Sequence, residues 1–274
     1  LITKMINKNF VDKNLNNLVD CVKSASVEIM KVYRSDYFRQ EEKSDGSPLT
    51  MADTMSNEII MEALKKISSE IPVISEENFS NEDLKYPNDT YWLVDPLDGT
   101  KEFINKTDEF TVNIALISNK KSIFGIVAAP VTEKMWHGSI FDNNKFDNKS
   151  VSKLRIVMSK SHKSENDRSF LEFLESIYIK YEIIEKGSSL KLCSLADNEA
   201  DIYPRFGPTS EWDIAAADAV LSSYGGSVIK IQDNKELDYS KMTSILNPYF
   251  IAVRNNSIKN DYLPLLGDFF KKLV

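Results

Sequence analysis

Asp95 and Asp98 stand three positions apart in the run Asp95-Pro96-Leu97-Asp98-Gly99-Thr100-Lys101-Glu102-Phe103. An apolar stretch, Tyr91-Trp92-Leu93-Val94, leads into them and reads as a buried strand. An unpaired charge continuing such a strand would be costly. Carboxylates crowded at a strand end repel one another and resist desolvation, so they call for cations between them. Hard oxygen ligands beside a Gly-Thr step suit Mg²⁺ and a phosphate better than zinc. The chemistry implied is Mg²⁺-dependent work on a phosphate ester.

Other polar residues stand at junctions where they could join this pair. Glu76 follows the short extended run Val73-Ile74-Ser75, and Asp213 opens the helical segment Trp212-Asp213-Ile214-Ala215-Ala216. Asp53 lies in the first turn of a helix that begins at Thr50. Each also has a structural explanation. Asp53 completes a capping box with Thr50, Asp213 stabilises a helix N-terminus through the dipole, and Glu76 is surface charge. Gly187-Ser188-Ser189-Leu190-Lys191 offers backbone N–H groups and a cation to an anion, or is a plain N-cap. Arg205, between aromatics in Tyr203-Pro204-Arg205-Phe206, is either a ligand contact or a packed surface arginine. His162 is an anion contact or a solvent-facing loop residue, and His137 in a strand pattern is assigned no role. With two histidines and two isolated cysteines, a zinc site or a Ser/His/Asp triad is disfavoured.

These residues need elements to hold them. Leu15, Leu18, Val22, Ala25, Ile29 and Val32 recur at steps of three and four, one face of a helix. A second helix runs from Thr50 to about Ile71, with Met55, Ile59, Ala63 and Ile67 on its apolar side, and Pro72 stops it. Strands are expected over 110–118, 122–130 and 134–141, the first two joined by a turn at Asn119-Lys120-Lys121. The polar run from Asp142 to Ser152 marks the best boundary. It divides an N-terminal α+β half with an antiparallel sheet (1–150) from a C-terminal α/β half (151–274). In the second half strands are expected at 156–158, 181–184, 200–203, 227–231 and 250–253. Helices are expected at 169–177, 190–196, 212–223 and 263–273.

At 274 residues the chain suits one large two-lobed unit or two intimately packed domains. A formal net charge of −7 argues against a general binder of nucleic-acid polymers or anionic membranes. No apolar run approaches the ~20 residues of a membrane helix, and the segment from Leu1 to Lys13 lacks a signal-peptide core. Cys21 and Cys193, with no CxxC, fit a reducing cytoplasm. An oligomeric state is not legible.

Asp95-Pro-Leu-Asp-Gly-Thr100 together with Trp212-Asp213-Ile-Ala-Ala216 resembles the paired signatures of the inositol monophosphatase superfamily of Mg²⁺-dependent, lithium-sensitive phosphatases. Ser75-Glu76-Glu77 and Ser47-Pro48-Leu49-Thr50-Met-Ala-Asp53 stand upstream in the order that superfamily shows. Lys101-Glu102-Phe103-Ile104, Gly187-Ser-Ser-Leu-Lys191 and Tyr203-Pro-Arg-Phe-Gly-Pro208 are similar to its 3′(2′),5′-bisphosphate nucleotidase branch, of the CysQ type. The resemblance implies a five-layer αβαβα sandwich. It implies about two or three Mg²⁺ per site, held by Glu76, Asp95, Asp98, Asp213 and the carbonyl of Leu97. It further implies that Asp53 and Thr100 orient and deprotonate the attacking water. Gly99 and Thr100 would donate to the scissile phosphate, and Asp98 and Asp213 would also be substrate-binding. His162, Ser188, Lys191 and Arg205 would hold the rest of a small nucleotide bisphosphate, which is cleaved to AMP and phosphate. The sulfated analogue and a place in sulfur assimilation follow from the same resemblance. An inositol or sugar monophosphatase with the same metal centre is the alternative.

Overall fold

A computed structural model describes residues 6–35, 40–42, 48–80, 82, 89–142, 144, 151–160, 164–239 and 244–273. The chain opens with helix α1 (Lys8–Arg34), whose start is capped when the Asn7 side chain accepts from Phe10 N–H at 3.0 Å. The pair β1 (Gln40–Glu42) and β2 (Pro48–Thr50) leads into α2 (Met51–Ile67). A five-stranded sheet follows, made of β3 (Val73–Ser75), β4 (Thr90–Asp98), β5 (Thr111–Ser118), β6 (Lys121–Ala129) and β7 (Lys134–Ser139) in that spatial order. The short helix α3 (Thr100–Ile104) follows β4.

The second half holds β8 (Leu154–Ser159), α4 (Glu165–Ser176), β9 (Tyr181–Lys186), α5 (Leu190–Ala196), β10 (Ile202–Arg205), α6 (Glu211–Ser223), β11 (Ser227–Lys230), β12 (Phe250–Val253) and α7 (Asn256–Leu273). Its sheet runs in the order β11-β12-β10-β8-β9. Three hydrophobic cores separate five layers. One joins α1 and α2 to the outer face of the first sheet, through Val22, Ile29, Leu64, Trp92 and Ile114. The second joins the inner faces of both sheets across α5 and α6, through Tyr91, Leu93, Leu192, Ala216 and Phe250. The third packs α4 and α7 on the far face of the second sheet, through Ile156, Phe170, Ile251 and Phe269. The αβαβα sandwich expected from the resemblance is therefore the fold.

The middle layer explains the composition of α6. Its residues Ile214 to Ala217 and Ala219 to Leu221 are all buried, because a helix between two sheets has no solvent face. Alanine lets it press on the first sheet. A Cβ placed on Gly125 of β6 would stand 2.0 Å from the Ala216 carbonyl oxygen, so only glycine fits there.

Three expectations need correction. The first sheet is mixed and not wholly antiparallel, since β3 runs parallel to β4, with Ser75 opposite Val94. The most buried stripe of α2 is Ala52, Asp53, Ser56, Asn57, Ile60 and Leu64, while Met55, Ile59, Ala63 and Ile67 are partly buried beside it. Apolar periodicity could not see a buried stripe containing three hydrogen-bonded polar residues. The last helix begins at Asn256 and runs through Pro264, which is exposed, as is Asn260 one turn earlier.

Candidate active site

The parallel pairing of β3 and β4 is what brings the first two acids together. With Ser75 beside Val94, the residues that follow, Glu76 and Asp95, emerge from the same end of the sheet. An antiparallel β3 would have sent Glu76 to the opposite edge. A short 3₁₀ turn, Glu76–Asn78, carries Glu76 out of the strand. Asn57 of α2 clamps that turn: its amide donates to Asn78 Oδ1 at 2.6 Å, and its Oδ1 accepts from Ser75 Oγ at 2.6 Å.

Asp98 joins through an irregularity. Residues three apart on a regular strand face opposite sides of a sheet. Here Asp95 pairs with Asn113 and Asp98 with Thr111, so β4 spends one more residue than β5 over the same span. This bulge at Pro96-Leu97 shifts the alternation and turns both carboxylates to the inner face. Ser56 Oγ holds it by donating to the Pro96 carbonyl at 2.7 Å, and Leu97 N–H donates to Asp95 Oδ1 at 3.1 Å. Gly99 follows at φ +90°, a left-handed conformation that suits glycine, and starts α3.

Asp213 arrives from the other half on the first turn of α6. It caps the helix, accepting from Ser210 N–H at 2.9 Å through Oδ2. Even so, Glu76, Asp95 and Asp213 each offer a carboxylate oxygen within a span of 4.8 Å. Asp53 likewise combines its two readings. Its Oδ2 accepts from the Thr50 N–H at 2.8 Å and hydroxyl at 2.6 Å, while its Oδ1 accepts from Thr100 Oγ1 at 3.1 Å. The Leu97 carbonyl lies 3.2 Å from the same Thr100 hydroxyl.

A cavity of about 440 Å³ opens over these groups. Glu76, Asp95, Leu97, Asp98, Gly99, Thr100 and Asp213 line it together with Ser188, Lys191 and Arg205. Asp53 stands behind Thr100, fully buried. His162 falls outside the described residues. Tyr203, Ser189 and Glu102 also line the cavity and were not singled out in the sequence; nothing in spacing or composition distinguished them from neighbouring core and surface positions.

The electrostatics are unbalanced among protein atoms alone. Asp95 is 1% exposed; burial first, then the carboxylates of Glu76, Asp98 and Asp213, hold its carboxyl well above the usual carboxylate range. Burial, then Asp98 and Glu76, does the same to Asp213. Asp98 is also raised by burial, against the opposing pull of Lys191 and the Ser189 hydroxyl. Lys191 is 8% exposed, and burial lowers its ammonium while Asp98 resists. A set of crowded carboxylate oxygens, with no His or Cys in the cluster among the described residues, fits hard divalent cations, whose charge would remove this repulsion.

Residues 12–261 match the inositol monophosphatase family, and the chain belongs to that family, a family of phosphatases. It is 38% identical over 248 residues to the 3′(2′),5′-bisphosphate nucleotidase CysQ of Salmonella typhimurium, an alignment covering 86% of this chain and 98% of that protein. With the CysQ of Buchnera aphidicola it shares 39% over 257 residues, covering 89% and 95%. Among solved structures, CysQ from Bacteroides thetaiotaomicron superposes with a TM-score of 0.76 at 31% identity, over 89% of this chain and 98% of the other. An IMPase from Thermotoga maritima shares the fold, with a TM-score of 0.74 at 19% identity over 96% and 100%.

Proposed function

We propose that this phosphatase removes the 3′-phosphate of adenosine 3′,5′-bisphosphate, giving AMP and phosphate, with Mg²⁺ as its metal. The observation that carries the reading is that one cavity is lined both by clustered carboxylates and by two cations, Lys191 and Arg205. A substrate with two phosphates needs both, one for the reacting group and one for the group that stays. The similarity to proteins named 3′(2′),5′-bisphosphate nucleotidase supports the same choice. The sulfated analogue of that nucleotide has the same two anionic ends and is a second substrate of the proposal.

Glu76, Asp95, Asp98, Asp213 and the Leu97 carbonyl would hold the cations. When bound, these supply charge neutralisation at the phosphate oxygens and the leaving oxygen, and acidify water. The protein's own part is proton handling and alignment. Thr100 Oγ1 donates to Asp53 Oδ1, which leaves its lone pairs free to receive a proton from the attacking water. Asp53 takes the threonine proton in turn. The water oxygen bonds to phosphorus as the bond from phosphorus to the 3′-oxygen breaks, in line, and that oxygen leaves with a proton from solvent. Gly99 and Thr100 at the start of α3 lie against the reacting phosphate. Ser188, Lys191 and Arg205 hold the 5′-phosphate end; of Arg205, Nη2 is committed to the Pro208 carbonyl at 2.7 Å while Nε has no partner among the described residues. The free thiols Cys21 and Cys193 fit the reducing cytoplasm proposed for the reaction.

The test is phosphate release from adenosine 3′,5′-bisphosphate and from inositol 1-phosphate, each with Mg²⁺ and with chelator. Strong preference for the nucleotide is expected. Preference for inositol 1-phosphate would replace the proposal with a sugar-phosphate monophosphatase built on the same carboxylates.

A further inference from the structure

Asn113 and Ser189 have no part in the chemistry above, yet they tie together three elements of the cleft. Asn113 of β5 is 1% exposed and pairs with Asp95, on the same face of the sheet. Its Nδ2 donates to Ser189 Oγ at 2.9 Å. Ser189, 3% exposed at the start of α5, places that oxygen 3.0 Å from Asp98 Oδ2 and 2.8 Å from the backbone carbonyl of Asp213.

The direction of this chain follows from donor chemistry. An amide nitrogen donates and does not accept, so the serine oxygen is the acceptor of that bond. The single hydroxyl proton is then sent forward, to Asp98 or to the Asp213 carbonyl. Among the described residues Asn113 Oδ1 is buried without a partner, so the contact with Ser189 is what orients this amide. Asp98 comes from the first half of the chain, and Ser189 and Asp213 from the second. The serine hydroxyl therefore sits where the two halves must meet for their carboxylates to share a cation.

We infer that Asn113 and Ser189 form a positioning pair: Asn113 aims the Ser189 hydroxyl, which holds Asp98 and the start of α6 at the separation that divalent cations require. This rests on the reading of Asp98 and Asp213 as cation ligands. It differs from a simple packing role because Asn113 acts only through Ser189. Partners of metal ligands at this remove commonly set affinity by on the order of tenfold to a hundredfold.

The experiment is calorimetric titration of the full-length protein with MgCl₂ in the absence of nucleotide. Wild type is compared with Ser189→Ala, Asn113→Leu, their double variant and Asp95→Asn, with melting of each metal-free protein checking that it folds. Each single variant is expected to bind Mg²⁺ about tenfold or more weakly. The double variant should be no weaker than Ser189→Ala, since removing the aiming residue costs nothing once the hydroxyl is gone. Wild-type affinity in both singles, or losses that add in the double, overturns the inference. If Ser189→Ala does not fold, Asn113→Leu decides alone by the same affinity criterion. Asp95→Asn separates the two levels: wild-type Mg²⁺ binding there refutes the ligand assignment itself. Loss in Asp95→Asn with full affinity in Asn113→Leu and Ser189→Ala refutes only the positioning pair.

Discussion

Two aspartates in this molecule are buried almost equally and held in opposite ways. Asp201, 0% exposed, accepts from Arg155 through its backbone N–H (2.9 Å), Nε (3.0 Å) and Nη2 (2.8 Å), and from Arg254 Nε at 3.0 Å. Burial pushes its carboxyl up, but the hydrogen bonds and charge of Arg155, with Arg254 behind, win and hold it below the usual range. Asp95, 1% exposed, meets carboxylates instead, and burial and repulsion push it the same way. Desolvation is common to both sites, so the neighbours decide. Where the chain supplies its own cations it builds an anchor between β8, β10 and the end of β12. Where it supplies like charges it leaves a demand for a cation from outside. A buried carboxylate is thus no sign of function until its surroundings have been counted.

The contrast is broken most sharply by Asp95→Asn. This change keeps shape and removes one charge from the crowded cluster. Phosphate release with Mg²⁺ should fall by on the order of a thousandfold, the loss of several kcal/mol of charge stabilisation. The metal-free protein should melt no lower than wild type, because a repulsion has gone. An active Asp95→Asn protein would end the assignment of the cleft. The converse change, Asp201→Ala, removes the carboxylate that Arg155 and Arg254 share and should cost about 3–5 kcal/mol of stability in urea unfolding. Its kcat at saturating Mg²⁺ should stay near wild type.

Lys191 tests the cationic lining of the cavity. Lys191→Met preserves most of the apolar stem and should raise the KM for adenosine 3′,5′-bisphosphate by about tenfold to a hundredfold, the worth of a hydrogen bond to a charged group. A phosphate ester lacking the 5′-phosphate should be little affected; equal losses on both would remove Lys191 from recognition of the second phosphate.

The smallest expected effect is one of pH. Asp201 has a folded value below its unfolded one, about 3.9, so it binds fewer protons when folded. Its contribution is complete above the unfolded value and is lost as pH falls through the folded value. The urea midpoint of wild type should therefore drop below about pH 4 more steeply than that of Asp201→Asn. Parallel curves would show that Asp201 does not carry the difference.

The sequence announced some of this geometry and concealed the rest for identifiable reasons. Asp95 and Asp98 were visible because charge at the end of an apolar strand breaks a local rule. The five layers followed from a family resemblance, and the fold bears that out. The bulge at Pro96-Leu97 was not legible: it is a mismatch between two strands, and no single strand contains it. Nor was the parallel course of β3, because three residues carry no signal of the direction in which they pair. Asn57, Asn113 and Ser189 look like ordinary polar residues, and only the partners they meet across 18 to 91 positions of sequence give them work. The either-or readings of Asp53 and Asp213 were drawn too narrowly, because each caps a helix with one oxygen while Asp53 also accepts from Thr100 and Asp213 also stands beside Glu76 and Asp95.

The close seating of α6 on the first sheet, at Gly125 against Ala216, has a consequence far from any reacting group. A methyl group there would act as a wedge between layers, since the atom it meets is main chain and cannot swing aside. Asp213 rides on that helix, so the wedge would widen the gap between carboxylates from opposite halves without altering either. The contact works as a remote calliper: the width of the cleft is gauged in the hydrophobic interior, and variation at Gly125 would retune it from there.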